Sequence, residues 1–167
     1  MKYLKTYESY DIISNSKNLH DEEIYYFKSP KNTYKVRICP FQGKSKYYCV
    51  GFGVASEYTD FDVYKITNEN PYETLNTVFE IVVDFKTKLE TEYKKWREKS
   101  LDNMYALGYY NPDVPKESAI DGFIFSLSGD KEKSKQRYNL YKRMIDKYLP
   151  NSTITYDAGI YYIKLPK

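Results

Sequence analysis

The densest run of chemistry-bearing residues is "SGDKEKSKQRYNLYKRM", residues 128–144. Ser128 and Gly129 follow an apolar alternation and precede a helical period. Such a strand-to-helix turn aims backbone N–H groups and the positive end of a helix dipole at one point, where an anion could sit. Lys131 and Lys133 would add charge there, and Ser134 a hydroxyl. Asp130 fits the same turn as a helix cap, and its carboxylate competes with an incoming anion. Further along, Lys135, Lys142, Arg143 and Lys147 extend the positive charge. Residues 130–147 hold seven basic and three acidic residues, a net +4 in a chain whose total is +3. Lys131, Lys133, Lys135, Lys142, Arg143 and Lys147 form a candidate docking face for nucleic-acid phosphates or an acidic protein surface. A solubilising outer face is the alternative. Tyr138, Tyr141 and Tyr148 follow the apolar stripe of the same helix, which favours packing over base stacking.

Other reactive residues are few. His20 is the only histidine, so no His-based metal site is expected. Cys39 as a nucleophile would need His20 or a carboxylate as its base. Cys39 and Cys49 fall on adjacent strands of a hairpin centred near Lys44, and that register sets them opposite each other. They are either a cross-strand disulfide or two reduced, partly buried thiols. No Gly-x-Ser-x-Gly, phosphate-binding Gly-x-x-x-x-Gly-Lys, His-Glu-x-x-His or Cys-x-x-Cys pattern occurs.

The elements that must position these groups can be read from periodicity. With 167 residues and 41% hydrophobic content, the chain suits one domain with a real core. Its 18% aromatic content comes mostly from 21 Tyr, whose apolar ring and polar tip serve cores and surfaces alike. No apolar run reaches the length of a membrane span, so a soluble, intracellular protein is expected.

Leu4, Tyr7, Tyr10 and Ile13 are spaced like a short helix, and 14–18 reads as a polar linker, so 1–18 is expected to precede a single domain at 19–167. Strands are predicted at 23–28, 34–39, 47–56 and 61–66. In the second, Tyr34, Val36 and Ile38 share one face and Lys35, Arg37 and Cys39 the other. Pro40 should end it, and Gly51 and Gly53 suggest a bulge or close backbone approach in the third. Asn70, Pro71 and Glu73 open a helix running to about Lys99, with Leu75, Val78, Phe79, Val82, Leu89, Tyr93 and Trp96 along one side. Residues 100–121 read as a long connection. A strand at 122–128, a helix at 131–149 stopped by Pro150, and two short closing strands follow. The order predicts an α+β fold, a mixed and mainly antiparallel sheet flanked by two long helices.

That element order resembles the GNAT-type acetyltransferases. The stretch "YNLYKR" is similar to the family's late helix motif, in which a Tyr often serves as general acid, and the matching residue is Tyr141. The resemblance implies acetyl-CoA as cofactor and an acyltransferase activity. The family's pyrophosphate loop needs glycines at the central helix start, so that N–H groups can approach phosphate. Here that place reads "TNENPYETLNTVF": it has no glycine, Pro71 removes a donor, and Glu69 and Glu73 would repel phosphates. A second resemblance lies at the N-terminus. "LKTYESYDII" is similar to the capsid-targeting peptide of internal head proteins of large tailed phages through Lys5, Thr6, Tyr7, Glu8, Tyr10 and Ile12. It implies a phage protein in the host cytoplasm or the head interior.

The expected function is therefore a non-catalytic, phage-type accessory protein without a cofactor, binding a host or phage protein through its basic helix. A GNAT-like acyltransferase using Tyr141 and a nucleic-acid-binding module are the alternatives.

Overall fold

The computed structural model describes residues 10–17, 22–55, 70–108, 119–126, 131–157 and 160–167. The expected strand at 61–66, most of the N-terminal helix and the Ser128–Gly129–Asp130 turn lie outside these residues, as does His20. In chain order the elements are β1 (Ile12–Lys17), β2 (Glu23–Lys28), β3 (Thr33–Pro40), β4 (Tyr47–Val54), α1 (Pro71–Ala106), β5 (Gly122–Ser126), α2 (Lys131–Tyr148), β6 (Thr153–Asp157) and β7 (Ile160–Lys164). The fold is α+β, with the seven described strands in one mixed sheet ordered β1-β2-β3-β4-β5-β7-β6.

Every pairing is antiparallel except β4 with β5. That parallel pair spans only Tyr47↔Gly122, Tyr48↔Phe123 and Cys49↔Ile124. Among the described residues the two strands share no rungs beyond Cys49 and Ile124, although β4 continues to Val54. The middle of the sheet is thus a fork.

Alternation along the strands decides which face is covered. Tyr25, Phe27, Tyr34, Val36, Ile38, Val50, Phe52, Phe123, Phe125, Tyr161 and Ile163 are buried and share one face. Both helices pack there. Phe79 of α1 stacks on Phe125 at 5.4 Å, Phe85 meets Tyr48 and Phe123 edge-on, and Tyr141 of α2 meets Phe125 at 5.6 Å. The other face carries Lys35, Arg37, Cys39, Cys49 and Gly51, all half-buried. No described helix lies on it.

The expected faces of β3 hold: Tyr34, Val36 and Ile38 are fully buried. Pro40 closes β3 as its last residue rather than stopping it earlier. It pairs with Tyr48 and lies past the Glu23↔Ile38 end of the β2 pairing, a strand-end position that tolerates proline's missing donor. Gly51 and Gly53 pair with Arg37 and Lys35 in unbroken register, so β4 has no bulge against β3.

Two expectations need correction. Residues 12–17, expected as the end of a helix and a linker, form β1, which pairs with β2 through an irregularity between Ile12 and Ser14. Ser and Asn are poor strand formers, but the edge of β2 offers their backbone groups partners. In addition, α1 runs to Ala106, so the connection after it starts later than residue 100. The outer part of α1 is exposed as expected. Trp96, however, is 62% exposed and stacks on Tyr93, so it is not on the core face. A straight helix of this length outreaches a sheet whose strands are five to eight residues long.

Candidate functional site

Three places could carry function: the start of α1, the outer side of α2, and a groove between α1 and the β1–β4 half of the sheet.

At the start of α1, Asn70 is the cap. Its Oδ1 accepts the Tyr72 N–H at 3.1 Å, and its side-chain amide reaches Glu73 Oε1 at 3.4 Å. Glu73 Oε2 accepts the Tyr10 hydroxyl at 2.8 Å, and Thr77 Oγ1 accepts the Tyr10 N–H at 2.8 Å. Tyr10 also stacks on Phe27. The helix end is therefore closed by the chain's own side chains, with a carboxylate in its first turn. Tyr10 and Ile12, two residues of the capsid-peptide resemblance, are built into the fold. Lys5, Thr6, Tyr7 and Glu8 lie outside the described residues.

Tyr141 sits on α2 beneath the fork and is 4% exposed. Its ring is held edge-on by Phe79 at 6.2 Å and by Phe125 at 5.6 Å. The expected core stripe of α2 is borne out: Tyr141, Met144, Ile145 and Leu149 are buried, and Tyr138 and Tyr148 half-buried.

On the outer side of α2 the structure describes Lys142, Arg143 and Lys147, and all three are exposed. The side chains of Lys131, Lys133, Ser134 and Lys135 lie outside the described set, although the backbone there is helical from Lys131. Lys142 pairs with Asp146 at 2.9 Å, one helical turn on, and that bond raises the Lys142 pKa. Arg143 donates to the Tyr72 hydroxyl at 3.2 Å. Lys147 donates to Asn76 Oδ1 at 3.3 Å and to the Tyr148 hydroxyl at 3.1 Å, with its ammonium 4.6 Å from the Tyr148 ring centre. The Tyr148 hydroxyl lies within hydrogen-bond distance of Asn76 Oδ1 at 3.2 Å and Glu80 Oε1 at 3.3 Å, and burial leads the causes that raise its pKa. Tyr72, Asn76 and Glu80, each four residues apart, thus form a polar seam on α1 that the α2 cations meet. Arg143 and Lys147 hold α2 to α1 as well as facing solvent.

The groove was not anticipated. Glu23 is 4% exposed on the apolar face of β2, with Tyr25 and Phe27 on the same side. Its Oε2 accepts the Tyr25 hydroxyl at 2.5 Å and its Oε1 accepts Lys88 Nζ at 2.8 Å. Burial alone would push this carboxyl up. The hydrogen bonds from Lys88 and Tyr25 outweigh it and hold the pKa below the ordinary range. The Glu23 hydrogen bond raises Lys88, and burial together with Glu23 raises Tyr25. A pocket of about 250 Å³ borders Glu23, Lys88, Lys17, Tyr48 and Phe85, and one of about 450 Å³, which Lys88 also lines, is bordered by Tyr25, Asp84 and Asn15. Glu23 is ionised and already accepts two short hydrogen bonds, so it is a weak proton acceptor and a firm tie between β2 and α1. One signal in the sequence pointed to it: a carboxylate in the buried parity of an apolar strand demands a partner.

Among the described residues no cluster of His, Cys, Asp and Glu could hold a metal ion, and no helix is long and apolar enough to cross a membrane. Comparison with family models, with curated proteins and with solved structures gives no match.

Proposed function

We propose that the chain is a non-catalytic binding protein of phage type, which docks an acidic surface of a phage or host protein on the outer side of α2. The observation that carries this reading is the closed start of α1. Asn70 occupies the Tyr72 N–H, Pro71 offers no donor, and Glu73 adds negative charge. A pyrophosphate would meet fewer N–H donors and a less favourable potential there. The exposed cations Lys142, Arg143 and Lys147 then offer a positive surface on α2, with Asp146 their only described acidic neighbour on that helix.

The acyltransferase reading has one observation in its favour, the fork between β4 and β5 with Tyr141 packed beneath it. One thermal-melting series separates the two readings. A ligand that binds only the folded chain stabilises it by about 2.7 kcal/mol at a hundredfold excess over Kd. The proposal expects no shift in Tm with acetyl-CoA or CoA, and a rise of several degrees overturns it. Its positive arm is a complex captured from infected cells and reconstituted from the purified partner. Binding should weaken with salt and fall at least tenfold in Lys142→Glu/Arg143→Glu. Binding to that partner left unchanged by the double substitution would also overturn it. Salt-sensitive binding of single- or double-stranded nucleic acid, lost in the same variant, would favour the nucleic-acid module instead.

A further inference from the structure

The face of the sheet opposite the helices holds the chain's two cysteines in direct register. Cys39 of β3 pairs with Cys49 of β4. Both are half-buried and free. The two thiols face each other across one rung, and their mutual interaction, with Arg37 assisting against the effect of burial, lowers Cys39 to about 7 and raises Cys49. Cys39 is the more readily ionised of the two, which suits it to begin thiol–disulfide exchange. Glu22 pairs with Arg37 and is the acidic group near this guanidinium.

The ladder class of this pair sets how firmly a bond between them would hold. Phe41 N–H donates to Tyr47 O, and Ala55 N–H donates to Thr33 O. Both rungs are an even number of residues from Cys39↔Cys49, so the cysteines occupy a hydrogen-bonded pair. Such pairs hold their Cα atoms about 5.5 Å apart and their side chains wider than the alternate class. The Cα spacing suits a disulfide, but the Cβ atoms must close to about 3.8 Å. A bond here forms against the ladder geometry, and such bonds are the readily reduced ones. Cys49 is also the last rung of the β4/β5 pairing, opposite Ile124, so tension on it acts at the base of the fork.

We propose that Cys39 and Cys49 form a reversible dithiol–disulfide site that responds to low-molecular-weight disulfides. The Cys39 thiolate attacks one sulfur of a disulfide such as oxidised glutathione, forming a mixed disulfide and expelling one glutathione thiolate. Cys49 then loses its proton to solvent and attacks the Cys39 sulfur, expelling the second. Two protein thiols are oxidised and one glutathione disulfide is reduced to two thiols. The closed bond ties β3 to β4 at the point where β4 leaves β5.

The test is equilibration of the purified chain in graded buffers of reduced and oxidised glutathione, followed by acid quenching, alkylation and intact mass. Oxidation should remove two hydrogen atoms from the monomer, abolish alkylation at both sites, and link the tryptic peptides 38–44 and 47–65. Half-conversion should fall where both forms of glutathione are abundant, and dithiothreitol should restore both thiols. Cys49→Ser keeps a donor to Cys39 and should stop at a single glutathione adduct, while Cys39→Ser should react about tenfold more slowly or worse, through the less ionised thiol. Separate adducts on both cysteines, linkage only between two chains, or no intramolecular bond while reduced glutathione is present would each overturn the proposal.

Discussion

Replacing Phe79 by alanine removes the ring on which α1, α2 and the sheet converge. Phe79 is fully buried. It stacks on Phe125 at 5.4 Å with planes 9° apart, meets Tyr141 edge-on at 6.2 Å, and lies 6.1 Å from Tyr148. Truncating a buried Phe costs about 3–5 kcal/mol through lost transfer and the cavity left behind. Aromatic pairs add about 0.5–1.5 kcal/mol each beyond area. Three rings border this cavity and are held by one helix and a strand, so they cannot all collapse into it. We therefore expect the upper half of the range, about 4–5 kcal/mol. Phe79→Leu keeps most of the apolar volume and loses the ring contacts, and should cost about 1–2 kcal/mol. For a domain of this size, each kcal/mol corresponds to roughly 2–4 °C in Tm. Urea titration by circular dichroism should show the midpoint falling at constant slope. A loss below about 2 kcal/mol in Phe79→Ala would refute the reasoning, because it would mean that the three elements do not share this ring.

Three further outcomes follow from other parts of the structure. A Cβ on Gly122 would stand 2.2 Å from Ile163 O and 2.5 Å from the Tyr47 ring, so Gly122→Ala should destabilise by about 1–3 kcal/mol, and an unchanged Tm would contradict that packing. Glu23 has a folded-state pKa below its ordinary value of 4.5, so its contribution is complete above that value and is lost as pH falls through the depressed one. Stability measured between pH 7 and pH 3 should therefore fall less steeply in Glu23→Gln than in the parent chain, and equal slopes would sink the assignment. Asn70→Ala removes the cap on Tyr72 N–H and should cost about 1 kcal/mol, with hydrogen exchange accelerating in the first turn of α1; a protected first turn would show that another group caps it.

Short-range chemistry made much of this fold legible. Period-two alternation placed Tyr34, Val36 and Ile38 inward because adjacent side chains on a strand point to opposite faces. Turn geometry set the hairpin register that brings Cys39 opposite Cys49. Asn70, Pro71 and Glu73 located the start of α1 within one residue, since capping is settled within one turn. The 3.6-residue period identified the buried side of α2.

What those local rules could not supply is the choice of distant partners. The polar run at 12–17 has no strand period of its own and becomes β1 because β2 presents an open edge. Glu23 and Lys88 are 65 residues apart and meet only once α1 lies across β2. Arg143 and Lys147 read as free surface charge until α1 brings Tyr72 and Asn76 under them. Sequence by itself determined the elements and their inward faces, because propensity, capping and periodicity act over a few residues. Tertiary structure alone decided which charges are tied down, which face of the sheet the helices leave open, and where β4 and β5 part, because those depend on packing between segments that are far apart in the chain.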